Sequence, residues 1–303
     1  MLFRKFSYER AIAVAIVIAL VLLLFVYQKL ELSKQMTGLD RTPSEFCKVM
    51  RDAFAFGDLD QQMINLLSET TPHYPTKEEV IQKLYFGQSP YDGFETIELP
   101  PEIYQPAAET VEAAKRPIVD RVLDLIGREP RTVLEVGSFL GTSIVHGWAN
   151  LIGKGKDGIL LSIDTWEGAG FLRMSPDYRP HMNLQHGMPQ TYKYFMTNVV
   201  KHGLTEKIFP LTLPSLVGAR ILGYLNWKVD VVYLDSAHEA GETYIELQLY
   251  FDLLEPGGIL FGDDYDSYPA VRHDVDRFAS CSGLEVVTFP NTFLLQKPLQ
   301  YDE

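Results

Sequence analysis

Carboxylates, glycines and one histidine stand in this chain at spacings that suit a cofactor turn and an acidic reaction centre. The apolar run Thr132-Val-Leu leads into Glu135, with Gly137 and then Gly141 following. A glycine lets the backbone pass close to a ligand with no Cβ in the way. This order is how the first strand of a doubly wound α/β domain ends in a tight turn. Asp164 closes the next apolar run, residues 158–163, at 27 positions beyond Gly137. An acidic side chain at that strand tip suits the two hydroxyls of a ribose. Asp235 ends a later run, residues 229–234, and Asp263 with Asp264 ends the run 258–262. Carboxylates gathered at neighbouring strand ends repel one another unless a cation lies between them. An oxygen-only set suits Mg²⁺, Mn²⁺ or Ca²⁺. His238, three residues beyond Asp235, suits a general base at the mouth of the same crevice.

These groups need elements to position them. Apolar runs predict strands near 131–137, 158–164, 207–213, 229–235, 257–263, 284–289 and 292–297, with helices near 141–152, 189–202, 215–224, 239–254 and 268–280. The alternation implies an α/β fold with a doubly wound, mostly parallel seven-stranded sheet and helices on both faces. Only Pro290-Asn291 separates the last two strands. A parallel connection needs about a dozen residues or more, so this pair must form an antiparallel hairpin. Ser215 reads as the N-cap of its helix. Upstream, residues 42–128 read as helical, with breaks at 71–75 and 99–101. Thr76 followed by Glu79 is a capping-box start. The helix over 109–126 carries a stripe of Val111, Ala114, Ile118, Val122 and Leu125. The stretch between Glu167 and Pro189 shows no periodicity. It reads either as a lid, whose Arg173, Tyr178, Arg179, His181 and His186 meet a polar or acidic substrate, or as a surface excursion.

Composition bounds the partners. The apolar run 11–27 is 17 residues long, with Arg4, Lys5 and Arg10 before it against Glu9 alone. As a helix it would span about 26 Å, enough for a thin bilayer, and the charge bias keeps the N-terminus cytoplasmic. No small-residue cleavage pattern follows, which favours an uncleaved signal anchor. The remainder would then face the lumen of the ER or Golgi, or another extracytoplasmic space. From Gln35 onward 22 basic residues face 38 acidic ones, a net charge of −16, which argues against nucleic acid as a partner. Cys47 and Cys281 stand far apart; a luminal setting would permit a disulfide between the extension and the core, but two cysteines make no framework and read first as two free, buried thiols, and no Cys/His spacing suits zinc.

Five stretches occur in an order that carries a resemblance: Leu134–Ser143, Asp164-Thr-Trp-Glu-Gly168, Tyr233-Leu-Asp-Ser-Ala-His238, Leu254-Glu-Pro-Gly-Gly258 and Gly262–Tyr265. Together they resemble the class I S-adenosylmethionine (SAM)-dependent methyltransferases, and most closely the metal-dependent small-molecule O-methyltransferase-like branch. The resemblance covers roughly residues 118–298. It implies a Rossmann-like methyltransferase fold, with SAM bound by Glu135, Gly137, Ser138, Gly141, Ser143, Asp164, Thr165, Trp166 and Ser215. Glu135 would reach the amino group of SAM, and Trp166 would offer an aromatic surface near the adenine. It also implies a divalent cation, Mg²⁺ foremost, on Asp235, Asp263 and Asp264, with Asp235 and His238 in the catalytic role. Metal-dependent relatives carry a second Asp as base two positions after the first, where this chain has Ala237. The expected organisation is a cytoplasmic tail (1–10), a transmembrane signal anchor (11–27), a stem (28–41), a helical extension (42–117) and a methyltransferase domain (118–303). The implied activity is O-methylation of a small molecule or glycan by a membrane-anchored enzyme. Gly137→Val is expected to block the cofactor while leaving the fold largely intact. Two other classes stay open: a luminal metal-dependent glycosyltransferase, with Asp264-Tyr-Asp266 as an Asp-x-Asp motif, and a non-catalytic binding module of the same fold.

Overall fold

The computed structural model describes residues 71–100, 103, 106–151, 158–236 and 238–299, together with residues 45 and 47–49. The chain divides into two compact units, Met1–Ala53 and Phe54–Glu303. The predicted tail, anchor and stem lie outside the described residues. Among the described residues no helix is long and apolar enough to cross a membrane. Cys47 and Cys281 are both disulfide-bonded, which corrects the expectation of free thiols; their separation in sequence gave no framework from which to read a bond.

Within the second unit, α1 (Lys77–Leu84) and α2 (Ala108–Ile126) precede β1 (Thr132–Val136) and α3 (Thr142–His146). Then come β2 (Ile159–Asp164), the short α4 (Gly170–Met174) and α5 (Arg179–Met182), α6 (Thr191–Lys201) and β3 (Ile208–Thr212). The chain continues through α7 (Ser215–Tyr224), β4 (Val229–Leu234), α8 (Glu242–Leu253), β5 (Leu254–Gly262), α9 (Pro269–Ser282), β6 (Val287–Phe289) and β7 (Thr292–Gln296). The sheet order is β3-β2-β1-β4-β5-β7-β6. The first five strands pair in parallel, and β7 is antiparallel to both β5 and β6. The hairpin is therefore present, and its second strand inserts between β5 and β6. Because β1 sits between β2 and β4, the winding reverses beside it and opens a crevice at the carboxyl ends of β1 and β4.

Both faces of the sheet are covered, which is why β1 and β4 are buried at every position. On one face Val133, Leu160, Val231, Tyr233 and Phe261 pack with Ile118 and Val122 of α2, Ile144 of α3 and Phe195 of α6. Thr76 caps α1 by accepting from the Glu79 amide, as expected. Between Tyr85 and Ala107 the described residues form turns and irregular chain, not the continued helix expected. Tyr85 and Tyr91 instead donate to the Pro210 and Ile208 carbonyls of β3, docking this segment on the sheet. The expected boundary at residue 118 falls inside α2, a continuous helix that accommodates Pro117. Its buried stripe also differs in one place. Ala114 is exposed, and Lys115 is turned inward between Val111 and Ile118.

Candidate active site

A cavity of about 700 Å³ opens at the carboxyl ends of the strands. Glu135, Gly137, Ser138, Ser143, Asp164, Thr165, Trp166, Ser215, Asp235, His238, Asp263 and Asp264 all line it. Gly141 does not; it caps α3 with φ +80°, and a Cβ there would meet the Phe195 ring at 2.9 Å. Gly137 has φ +86°, and its absent Cβ would stand 2.1 Å from the Asp235 carbonyl oxygen. The glycine turn thus lies against the end of β4. The expectation that Gly137→Val spares the fold is overturned, because the obstruction is backbone rather than ligand.

Glu135 is the most unusual group in the cavity wall. Its residue is fully buried on β1, and neither carboxylate oxygen has a hydrogen-bond partner among the described residues. Burial pushes its pKa up to about 8, opposed by the nearby Ser138 hydroxyl and Trp148 indole, with the Asp235 carboxylate adding to the rise. A buried carboxylate without a donor is costly unless a cation reaches it.

Asp164 is placed differently from the simple expectation. Its Oδ2 accepts from the Ser138 and Phe139 amides at 2.9 and 2.8 Å, and its Oδ1 from the Trp166 amide at 2.7 Å. The carboxylate therefore pins the glycine turn to the tip of β2. Lone pairs remain for a further donor, since a carboxylate offers about four acceptor sites. Trp166, at φ +54°, turns its indole into the core, where it packs on Tyr192 and Phe195 and donates to the Phe139 carbonyl. The ring is thus held firmly by the core while the residue also lines the cavity. Ser215 is not an N-cap. Pro214 holds that position, and the Ser215 hydroxyl donates to the Tyr250 hydroxyl.

At the far side of the cavity lies the acidic cluster. His238 Nε2 is 2.6 Å from Asp264 Oδ2 and 3.8 Å from Asp235 Oδ1. Ligand atoms of Asp235, His238 and Asp264 lie within 4.8 Å of one another. Asp263, expected in this set, lines the same cavity but is not among the three groups that converge. Its Oδ2 pairs with Lys115 at 3.0 Å, and its Oδ1 accepts from Asn291 and the Asp264 amide. Burial, then repulsion from Asp263 and Asp264, raises the Asp235 pKa to about 6. The hydrogen bond with Asp264 raises that of His238. Two carboxylate oxygens and one imidazole nitrogen fit a divalent cation, and the nitrogen widens the choice from Mg²⁺ toward Mn²⁺ and Zn²⁺. Asp266 does not join them. It accepts from the Asn291 amide and is exposed, so the Asp-x-Asp reading has no converging pair.

Four contributors escaped the sequence reading. Lys115 comes from α2, and its signal was a lysine spaced with Val111, Ile118 and Val122 on a buried face. Asn291, at φ +57° in the hairpin turn, bonds Asp263, Asp264 and Ser267; turn preference alone explained its presence. Ser236 donates to Glu246, a buried carboxylate raised to about 7 chiefly by burial. Tyr268 stacks on His238 at 4.5 Å. Of the polar residues in the 167–189 stretch, Tyr178 lines the cavity, while Arg173, Arg179, His181 and His186 do not.

Comparison with known proteins agrees with this layout. Residues 134–265 match a family model described as "Methyltransferase domain". The matched segment runs from the glycine turn to the acidic cluster. No curated protein matches the chain in sequence. Among solved structures, the chain is similar to an O-methyltransferase from Bacillus cereus in complex with SAH, at 13% identity, covering 82% of this chain and 100% of the other, with TM-score 0.42. It is also similar to the calicheamicin methyltransferase CalS11, at 15% identity, 81% and 95% coverage and TM-score 0.46. A third is the O-methyltransferase TomG from Streptomyces achromogenes, at 15% identity, 82% and 98% coverage and TM-score 0.42.

Proposed function

We propose that the chain is a membrane-anchored O-methyltransferase that moves the methyl group of SAM to a hydroxyl of a small molecule or glycan with the help of a divalent cation. The observation that carries this reading is Glu135, a fully buried carboxylate in the wall of the 700 Å³ cavity, with the Ser138 hydroxyl and Trp148 indole near it but no close hydrogen bond among the described residues. It asks for a cation at the end of β1, and the ammonium group of SAM is one. Bound SAM supplies an activated methyl group. Glu135 holds its amino end, Asp164 fixes the turn beneath it and offers free lone pairs to the ribose, and Ser143 and Thr165 complete the polar wall. Asp235 and Asp264, with His238 beside them, would hold the cation, which supplies charge to lower the pKa of the acceptor hydroxyl. In the transfer a C–O bond forms and the C–S bond breaks, leaving a thioether. The hydroxyl proton passes to His238 acting as base, and Asp264 Oδ2, 2.6 Å from its Nε2, stabilises the imidazolium. Proximity and orientation supply most of the rate.

The test is a titration of the purified chain with SAM and SAH, followed by labelled methyl transfer to a panel of hydroxyl acceptors with EDTA or with Mg²⁺ or Mn²⁺. Absence of SAM and SAH binding would refute the reading. Turnover unchanged in EDTA would remove the cation and leave His238 as the only base. Anchoring through residues 11–27 rests on the apolar run and its basic flank. It predicts that the full chain sediments with membranes and that a chain starting at Gln35 does not.

A further inference from the structure

Tyr233 of β4 reaches the acidic cluster from inside the core. Its ring is fully buried, with the Trp148 ring 4.5 Å and the Phe261 ring 5.1 Å away between centroids. The residue does not line the cavity. A phenylalanine would fill the same space, so the hydroxyl is what sets this side chain apart. A buried hydroxyl without a partner is costly, and both groups that Tyr233 meets belong to the site. It donates to Asp235 Oδ2 at 3.1 Å and approaches Asp263 Oδ2 at 3.5 Å. A phenol has a single proton to give. The nearer carboxylate, Asp235, takes it, while Asp263 Oδ2 already has the Lys115 ammonium at 3.0 Å.

That bond sorts the two oxygens of Asp235. Alternate residues along a strand share a face, which brings the Tyr233 and Asp235 side chains together. With Oδ2 held by the phenol, Oδ1 is the oxygen that approaches His238 Nε2, at 3.8 Å. A carboxylate free at both oxygens can turn about its Cβ–Cγ bond, whereas one tethered through Oδ2 presents Oδ1 in a fixed direction. A group that orients a metal ligand from behind is worth about ten- to a hundredfold in metal affinity.

We infer that Tyr233 is a positioning residue for the cation: its hydroxyl holds Asp235 Oδ2 so that Oδ1 stays turned toward His238 and the ion. This role rests on the cation-assisted reading of the site, and Tyr233 acts through Asp235 rather than on SAM or the acceptor.

Calorimetric titrations of the full chain with Mn²⁺ and, separately, with SAH test this in the wild type and in Tyr233→Phe, which keeps the ring and removes only the hydroxyl. Mn²⁺ affinity is expected to fall about tenfold, while SAH affinity holds. Tyr91→Phe is the control, because it loses a hydroxyl bond of 2.7 Å to the Ile208 carbonyl on β3, away from the cluster. Both variants should lower the melting temperature by a few degrees, the scale of one lost hydrogen bond, but Tyr91→Phe should bind Mn²⁺ as the wild type does. A purely structural Tyr233 would behave like that control. Equal Mn²⁺ affinity in Tyr233→Phe and the wild type, or an equal loss in Tyr91→Phe, overturns the role of Tyr233 alone. A wild type that binds SAH but no Mn²⁺ overturns the cation reading and this role with it. A wild type that binds Mn²⁺ but no SAH overturns the methyltransferase reading instead, and the Mn²⁺ comparison still decides what Tyr233 does.

Discussion

Two buried carboxylates on neighbouring strands have opposite fates. Asp230 lies near the start of β4 and is fully buried. It accepts from the Tyr74 hydroxyl at 2.7 Å, from the Arg128 guanidinium, and from the Arg131 and Thr132 amides. Glu135 lies near the end of β1, equally buried, with no close hydrogen bond among the described residues and no cation beside it there. At the amino end of the sheet the buried carboxylate is put to use for stability. At the carboxyl end the chain leaves one unpaired, which costs stability and makes sense where a ligand brings the missing charge. Satisfied and unsatisfied carboxylates thus mark the structural and the chemical ends of one sheet.

The largest effect that would sharpen this contrast is at the chemical end's scaffold. Gly137→Val should yield no soluble folded protein, since its Cβ would sit 2.1 Å from the Asp235 carbonyl oxygen. A folded variant by circular dichroism would contradict the close approach of turn and strand. Next, Asp230→Ala should cost about 2 to 3 kcal/mol in denaturant unfolding, because it strands the Arg131 and Thr132 amides while exposed Arg128 turns to water. In its folded fraction the SAH affinity should be unchanged. A loss of SAH affinity would break the division between the two ends.

Glu135→Gln should behave in the reverse manner, weakening SAM binding by roughly ten- to a hundredfold, the scale of a lost charge-assisted hydrogen bond. The unliganded protein should be no less stable. Its pH dependence has a definite sign. Glu135 in the folded state keeps its proton to about pH 8, against 4.5 for the ordinary carboxyl. The folded state therefore binds more protons across that window, and unliganded stability falls as pH rises from 4.5 to 8. Binding an ammonium needs the ionised form, so SAM affinity should rise with pH up to about 8 with release of a proton. Calorimetry in buffers of different ionisation enthalpy reads that proton. A flat profile in the wild type, or the same slope in Glu135→Gln, would remove Glu135 from the cofactor site.

The smallest effect concerns Lys115, which joins the two halves of the comparison by bringing a cation from outside the sheet to the acidic cluster. Lys115→Met keeps the apolar stem and removes the charge. Its half-buried pair with Asp263 is worth about 1 kcal/mol, so the melting temperature should move by only a few degrees. Turnover should fall while SAH affinity holds, because Asp263 supports the reaction centre and not the cofactor.

The local sequence determined much of this. Unbroken apolar runs fixed seven strands, Pro290-Asn291 fixed the hairpin, and glycine and acidic residues at strand ends located the crevice, because side-chain periodicity and turn chemistry act over a few residues. Tertiary structure decided which carboxylates are satisfied and which are left. Asp230 and Glu135 both sit in apolar strands and look alike in sequence, yet the Tyr74 donor that satisfies Asp230 comes from 156 positions away. Likewise the Asp263 carboxylate is engaged by Lys115, 148 positions distant, and by the Asn291 side chain, which bonds Asp264 as well. Hydrogen-bond satisfaction depends on which distant donors the fold brings within about 3 Å, and local spacing holds no record of it.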